Sequence, residues 1–217
     1  MSLNASPKLG VDALWPLCLA LVRERRHGAA FSDVLGAGAL HWRGAGAWAR
    51  GRGGDAPAPE MFARLTPGPD RRAGSEAWVV GQLGQSLNGC IATRGGDANY
   101  VNGEEVLTHL HRLRALCDAV IIGAATAAID NPQLTTRRVE GEHPVRVLLD
   151  PGLGLSPDLR VFGDRQARTL LVCDAREQAQ AAQRVGAHQV LAVPGLVDPQ
   201  GGAVRMRALV GALAQRG

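Results

Sequence analysis

Lysine is almost absent from this 217-residue chain: Lys8 stands alone, and every other one of the 24 basic side chains is arginine. Aromatic residues make up 4%. A core must therefore be built from Leu, Val, Ile and Ala, and no aromatic platform is available on which the bases of a single-stranded nucleic acid would stack. The cysteines stand at positions 18, 90, 117 and 173, with no C-x-x-C spacing. That excludes a zinc ribbon, and the lack of any His-x-Glu or Pro-Cys-x-x-Cys signature excludes a zinc deaminase. The four read as free thiols of a reducing compartment, and no metal site is expected. Long apolar runs are missing too: Ala13 to Val22 is too short to span a bilayer and lacks the flanks of a signal peptide. The expectation is a cytoplasmic protein with neither membrane nor nucleic-acid partner. The net charge of +4 fits a drift of Ala/Gly/Arg-rich composition, so particular arginines matter more than the total.

What is present falls into two textures. Val11, Leu14, Trp15, Cys18, Leu21 and Val22 recur at helical spacing ahead of the charged run Arg23-Glu24-Arg25-Arg26. This predicts an amphipathic helix with its basic end at the C-terminus, where the macrodipole favours cations. The Gly-, Ala-, Pro- and Arg-rich stretch that follows ends near Thr66-Pro67-Gly68-Pro69-Asp70 and carries no assignable fold. Residues 1–76 are read as an extension and 77–217 as the main domain.

From Ala77 the pattern is regular. Strands are expected at Trp78 to Leu83, Asp118 to Ile122, Val145 to Leu149, Thr169 to Val172 and Gln189 to Val193. A helix is expected from Asn102 to Leu116, with Asn102 as its cap and Glu105 completing a capping-box-like pair. Further helices are expected at about 175–185 and 204–215. Strands alternating with helices predict an α/β domain, a mostly parallel sheet flanked by helices.

Four places offer chemistry. Gly44-Ala45-Gly46-Ala47-Trp48-Ala49 matches G-x-G-x-x-A, but no strand precedes it, and it is set aside. Gly84-Gln85-Ser86-Leu87-Asn88-Gly89-Cys90 follows a predicted strand, where Gly84 and Gly89 would let backbone approach a ligand; Asn88-Gly89 alone reads as a tight turn. Arg114 follows Leu110 by four residues and Leu107 by seven, sharing their apolar face. A guanidinium there wants a carboxylate or phosphate, or else snorkels to solvent. Gly123 to Arg137 places small residues at the C-terminal end of a strand, with Thr126 offering a donor to a phosphate and Asp130 an acceptor to a ribose or amide.

Read together, GQSLNGCIA, NYVNGEE, LHRLRALCDAVIIGAATAAIDNPQLTTRR and PVRVLLDP run in order through about 70 residues. This stretch resembles the pyrimidine reductases of riboflavin biosynthesis, the reductase half of the bifunctional deaminase–reductase. The resemblance implies a dihydrofolate-reductase-like fold, NADPH as cofactor, a homodimer, and reduction of a phosphoribosylamino-pyrimidine to its ribitylamino product. It implies that Gly84, Tyr100, Thr126 and Asp130 line the cofactor. It further implies that Ala98, Arg114, Leu134 and Arg137 hold the substrate, the two arginines at its 5′-phosphate. Asp130 is the nearest ionisable group to the expected chemistry, read as orienting rather than transferring a proton.

The sequence departs from the family pattern at Ala98, where a serine is frequent, and at Asn88, where an aspartate is usual. The family's Glu-Gly-Gly loop does not occur after residue 150. A chain lacking its C-terminal part is therefore expected. The competing readings are a catalytically silent module of the same fold and a reductase of another pterin-like or phosphorylated substrate.

Overall fold

The apolar runs of the second half of the chain become the strands of one parallel sheet. The computed structural model describes residues 15–16, 18–20, 22–23, 26, 41–42, 48–50, 54–57, 77, 79–95, 103–200 and 202–216. The chain divides into two compact units, Met1–Ser75 and Glu76–Gly217.

In the first unit the described residues between Trp15 and Arg26 are helical, and Trp15, Cys18, Leu19 and Val22 are buried. The predicted contributions of Val11, Leu14 and Leu21 fall outside the described residues. Three short strands follow, β1 (His41–Trp42), β2 (Trp48–Arg50) and β3 (Gly54–Pro57). They form an antiparallel sheet in the order β1-β2-β3. Trp48 and Ala49 therefore belong to a strand rather than to the helix start that a dinucleotide fingerprint requires, consistent with setting that motif aside.

In the second unit the order is α1 (Glu104–Leu116), β4 (Ala119–Gly123), α2 (Ala124–Asp130), β5 (Val145–Leu149), α3 (Arg160–Gly163), β6 (Thr169–Asp174), α4 (Gln178–Val185), β7 (Val190–Val193) and α5 (Met206–Arg216). The four strands pair in sequence order, β4-β5-β6-β7, all parallel. Ala119 lies opposite Val145, Arg146 opposite Thr169, and Leu171 opposite Val190. Every residue of β6 is buried. Both faces of this strand are covered, so its sequence Thr-Leu-Leu-Val-Cys-Asp reads as a continuous run rather than an alternation.

Successive side chains point to opposite faces and build two cores. Leu148, Leu171, Cys173 and Val190 pack with Ala127 of α2, Val161 of α3 and Ala181 of α4. Val147, Leu170, Val172 and Leu191 pack on the other face with Leu209 of α5 and Leu196. The α/β architecture, a parallel sheet flanked by helices, is the one expected.

Two local expectations are corrected. The described residues of 77–83 are not a strand, and Val79 (65% exposed) and Leu83 (68%) face solvent. A strand exists only through its ladder, and this segment has no ladder partner among the described residues. Helix α1 begins later than predicted, with Gly103 as its N-cap and no side-chain cap bond. Glu104 and Glu105 in the first turn supply the favourable charge at the positive end of the dipole instead. Asn102, the predicted cap, lies outside the described residues.

Candidate active site

The last turn of α1 and the loop that leaves α2 form one hydrogen-bonded cluster. Helix α2 ends at Asn131, whose left-handed backbone (φ 39°) reverses the chain ahead of Pro132. Asn131 Oδ1 accepts the Arg160 N–H at 3.0 Å, which ties this turn to α3. Leu134 follows, also left-handed (φ 57°) yet 3% exposed. A branched apolar residue at positive φ is strained and persists only where its surroundings hold it, here the core shared with Leu148, Leu153 and Val161. Its side chain is anchored inward, which turns Thr135 and its successors toward α1.

Thr135 is fully buried and joins two guanidiniums. Its carbonyl accepts from Arg114 Nη1 at 3.4 Å, and its hydroxyl accepts from Arg137 Nη1 at 2.8 Å. The Arg137 N–H donates to His111 Nδ1 at 2.9 Å, and the Thr136 N–H donates to His143 Nδ1 at 3.2 Å. Thr136 Oγ1 reaches the Glu142 carbonyl at 3.1 Å, and Arg138 pairs with Glu104 at the start of α1. Beneath the loop, the Gln133 carbonyl accepts from Arg146 Nη1 at 3.2 Å. The loop is thus held at every residue from 133 to 138.

The electrostatics are lopsided. No described ion pair involves Arg114 or Arg137. Burial, followed by the Arg137 charge, lowers the Arg114 guanidinium below the usual arginine range. Burial pushes His111 down to about 4, and the charges of Arg114, Arg137 and Arg138 push the same way. Two guanidiniums that share one threonine, with no carboxylate partner among the described residues, create a demand for an anion. A phosphate, accepting charge-assisted hydrogen bonds from both, meets that demand.

Among the described residues, no hydrogen bond joins Thr126, Asp130 or Gly84 to this cluster. Thr126 and Asp130 are four apart on α2, so they share a face, and both are exposed. Gly123, at the end of β4, has nothing within 4 Å of the place where a Cβ would lie. The small side chains Ala124, Ala125 and Ala128 leave the start of α2 unencumbered, which suits a flat or phosphorylated group. Gly84 is half-exposed beside a tight turn, in which the Gly89 N–H (φ 81°) donates to the Ser86 carbonyl at 2.8 Å. The Asn88-Gly89 turn is present as read, although its flanks are not strands. Ala98 and Tyr100 lie outside the described residues.

The sequence reading missed His111, Thr135, Thr136, Arg138 and Arg146. A signal did exist for His111, which precedes Arg114 by three residues and so lies on the same side of the helix. No helix among the described residues is long and apolar enough to cross a membrane, and no metal-ligating cluster occurs among them.

Known proteins share this sequence and fold. Residues 77–217 match the model of the RibD C-terminal domain. A 2,5-diamino-6-ribosylamino-4(3H)-pyrimidinone 5′-phosphate reductase of Methanothermobacter thermautotrophicus is 34% identical over 125 residues, 56% of this chain and 57% of the relative. The riboflavin biosynthesis protein RibD of Chlamydia muridarum is 30% identical over 165 residues, 73% of this chain and 43% of the relative. The crystal structure of a diaminohydroxyphosphoribosylaminopyrimidine deaminase/5-amino-6-(5-phosphoribosylamino)uracil reductase from Thermotoga maritima superposes with a TM-score of 0.50 at 32% identity. It covers 62% of this chain and 34% of that one. The chain therefore spans less than two thirds of these relatives. With the motifs, the parallel sheet and the match over 77–217 in agreement, the chain belongs to the RibD C-terminal domain family, the pyrimidine reductases of riboflavin biosynthesis.

Proposed function

We propose that this chain reduces a phosphoribosylamino-pyrimidine to its ribitylamino product with NADPH, and that Arg114 and Arg137 hold the substrate by its ribose 5′-phosphate. The observation that carries the reading is the pair of guanidiniums joined by Thr135, without a described carboxylate partner. The names of the relatives support it, since a ribosylamino-pyrimidine 5′-phosphate is what the archaeal relative is named for.

When bound, NADPH would supply a hydride, which this reading delivers to C1′ of the opened sugar imine while the imine nitrogen takes a proton from solvent; the chain supplies position and electrostatics. Gly84 and Tyr100 are assigned to the cofactor, as are Thr126 and Asp130 on the exposed face of α2. Asp130 takes an orienting role there. Ala98 and Leu134 are assigned to the substrate, Leu134 acting through the strained turn that presents Thr135. Fixing the phosphate end holds the reacting carbon in register and removes translational freedom before hydride transfer.

The test is the fall of NADPH absorbance when the protein meets 5-amino-6-(5-phosphoribosylamino)uracil or its 2,5-diamino counterpart. Saturable turnover with either supports the reading and names the pyrimidine. No turnover from a folded protein that also fails to bind NADPH would contradict it and leave a silent relative.

A further inference from the structure

We infer that His111 is a positioning residue: as a neutral imidazole its Nδ1 accepts the Arg137 N–H and so fixes the backbone from which Arg137 reaches the substrate's phosphate. This rests on the proposal that Arg114 and Arg137 bind that phosphate.

His111 is 5% exposed on α1, and its Nδ1 lies 2.9 Å from the nitrogen of a residue 26 positions further on. An imidazolium carries protons on both nitrogens and has no acceptor. The bond therefore requires the neutral ring with its proton on Nε2. Protonation would replace an attractive contact with two N–H groups facing each other.

Burial favours the neutral form most, and the charges around the ring push the same way. Arg114 faces it from the same helix, and Arg137 and Arg138 face it from the loop; the Thr135 carbonyl favours the proton but is outweighed. The neighbouring amide, that of Thr136, is held in the same manner by His143. Two consecutive loop amides thus end on imidazole nitrogens, and neither of these two acceptors is a carboxylate that would compete with phosphate for Arg114 and Arg137. A carboxylate at position 111 would accept the same N–H, yet it would also neutralise the pair it is meant to present.

The test compares the wild-type chain with His111→Asn, whose Oδ1 can take the place of Nδ1, and His111→Leu, which has no acceptor. Arg137→Ala serves as the reference. Ribose 5-phosphate is the probe, titrated by calorimetry or by amide chemical shifts. His111→Leu is expected to bind roughly tenfold more weakly, the value of one lost hydrogen bond, with His111→Asn within about threefold of wild type. Should His111→Leu fail to fold, the imidazole nitrogen spectrum of the wild type decides. A neutral ring protonated on Nε2, and an Arg137 amide that shifts only as the pH nears 4, are expected.

Binding by folded His111→Leu as tight as wild type, with Arg137→Ala impaired, overturns the positioning role and leaves the phosphate reading standing. His111→Asn as poor as His111→Leu overturns it as well, because packing alone would then explain the loss. No effect of Arg137→Ala, or no binding by the wild type, brings down both ideas together.

Discussion

Removing the Asp164 carboxylate should cost this fold more than any single exposed ion pair could, because of what it strands. Arg146 on β5 is 1% exposed, and Asp164 is 10% exposed. The guanidinium meets the carboxylate through two bonds of 2.8 Å. It also donates to the Val161 and Ala167 carbonyls at 2.8 Å, Thr169 Oγ1 at 2.9 Å and the Gln133 carbonyl at 3.2 Å. Every N–H of the fork has an acceptor. Asp164→Ala leaves a buried cation with neutral acceptors only. Breaking a buried pair costs about 3–5 kcal/mol, and the four surviving acceptors place this case near the lower end, about 3 kcal/mol. At roughly 2–4 °C per kcal/mol for a chain of this size, the melting temperature should fall by about 6–12 °C.

Arg146→Met should cost about 3–5 kcal/mol, since three carbonyls then lose one donor each and the Asp164 carboxylate loses its partner. The double variant Arg146→Met/Asp164→Ala should cost clearly less than the sum, as no charge is left buried. Urea denaturation of the four proteins closes the cycle. A cost for Asp164→Ala below about 0.5 kcal/mol, or additive single effects, would mean that Arg146 does not depend on this carboxylate. The same knot sets a pH limit. The hydrogen bond from Arg146, the largest influence, holds the Asp164 carboxyl below its ordinary value. Its contribution is complete above the ordinary carboxylate range and is lost as pH falls through the depressed value.

Other outcomes are expected. His111 is lowered from 6.5 to about 4 in the folded chain, so the unfolded chain takes up its proton first as pH falls. Stability should be unaffected by this group above about 6.5 and decline by up to about 2–3 kcal/mol on the way to 4, a loss that His111→Asn abolishes in pH-dependent unfolding. Gly186 ends α4 at φ 88°, with the His188 ring 3.0 Å from where a Cβ would stand. Gly186→Ala should therefore cost about 2 kcal/mol in the same denaturation assay, and a neutral result would mean that this turn relaxes freely.

How much of this was legible in the sequence follows from the range of each interaction. The strands at 119–123, 145–149, 169–174 and 190–193 showed as apolar runs because parallel strands covered on both faces carry no polar alternation. Arg114 stood out through its helical phase, a local property. The run from Trp78 to Leu83 has the composition of a strand, but pairing is not encoded locally, and its described residues stay unpaired. The bonds that build the site join residues 21, 26 and 34 positions apart, Arg114 to Thr135, Arg137 to His111 and Arg138 to Glu104. No periodicity announces such contacts. The helix start differs for a smaller reason: Gly103 stands at the N-cap without a side-chain bond, and an acidic first turn supplies the favourable charge.

The most direct test of the central claim is the steady-state reduction of the phosphorylated pyrimidine and of its dephosphorylated analogue, by wild type and by Arg137→Ala. The variant is expected to lose about 10- to 100-fold in kcat/KM with the phosphorylated substrate, the value of charged hydrogen bonds to one guanidinium, and little with the analogue. Equal losses with both substrates would contradict it, because Arg137 would then act on the fold or the chemistry and not on the phosphate.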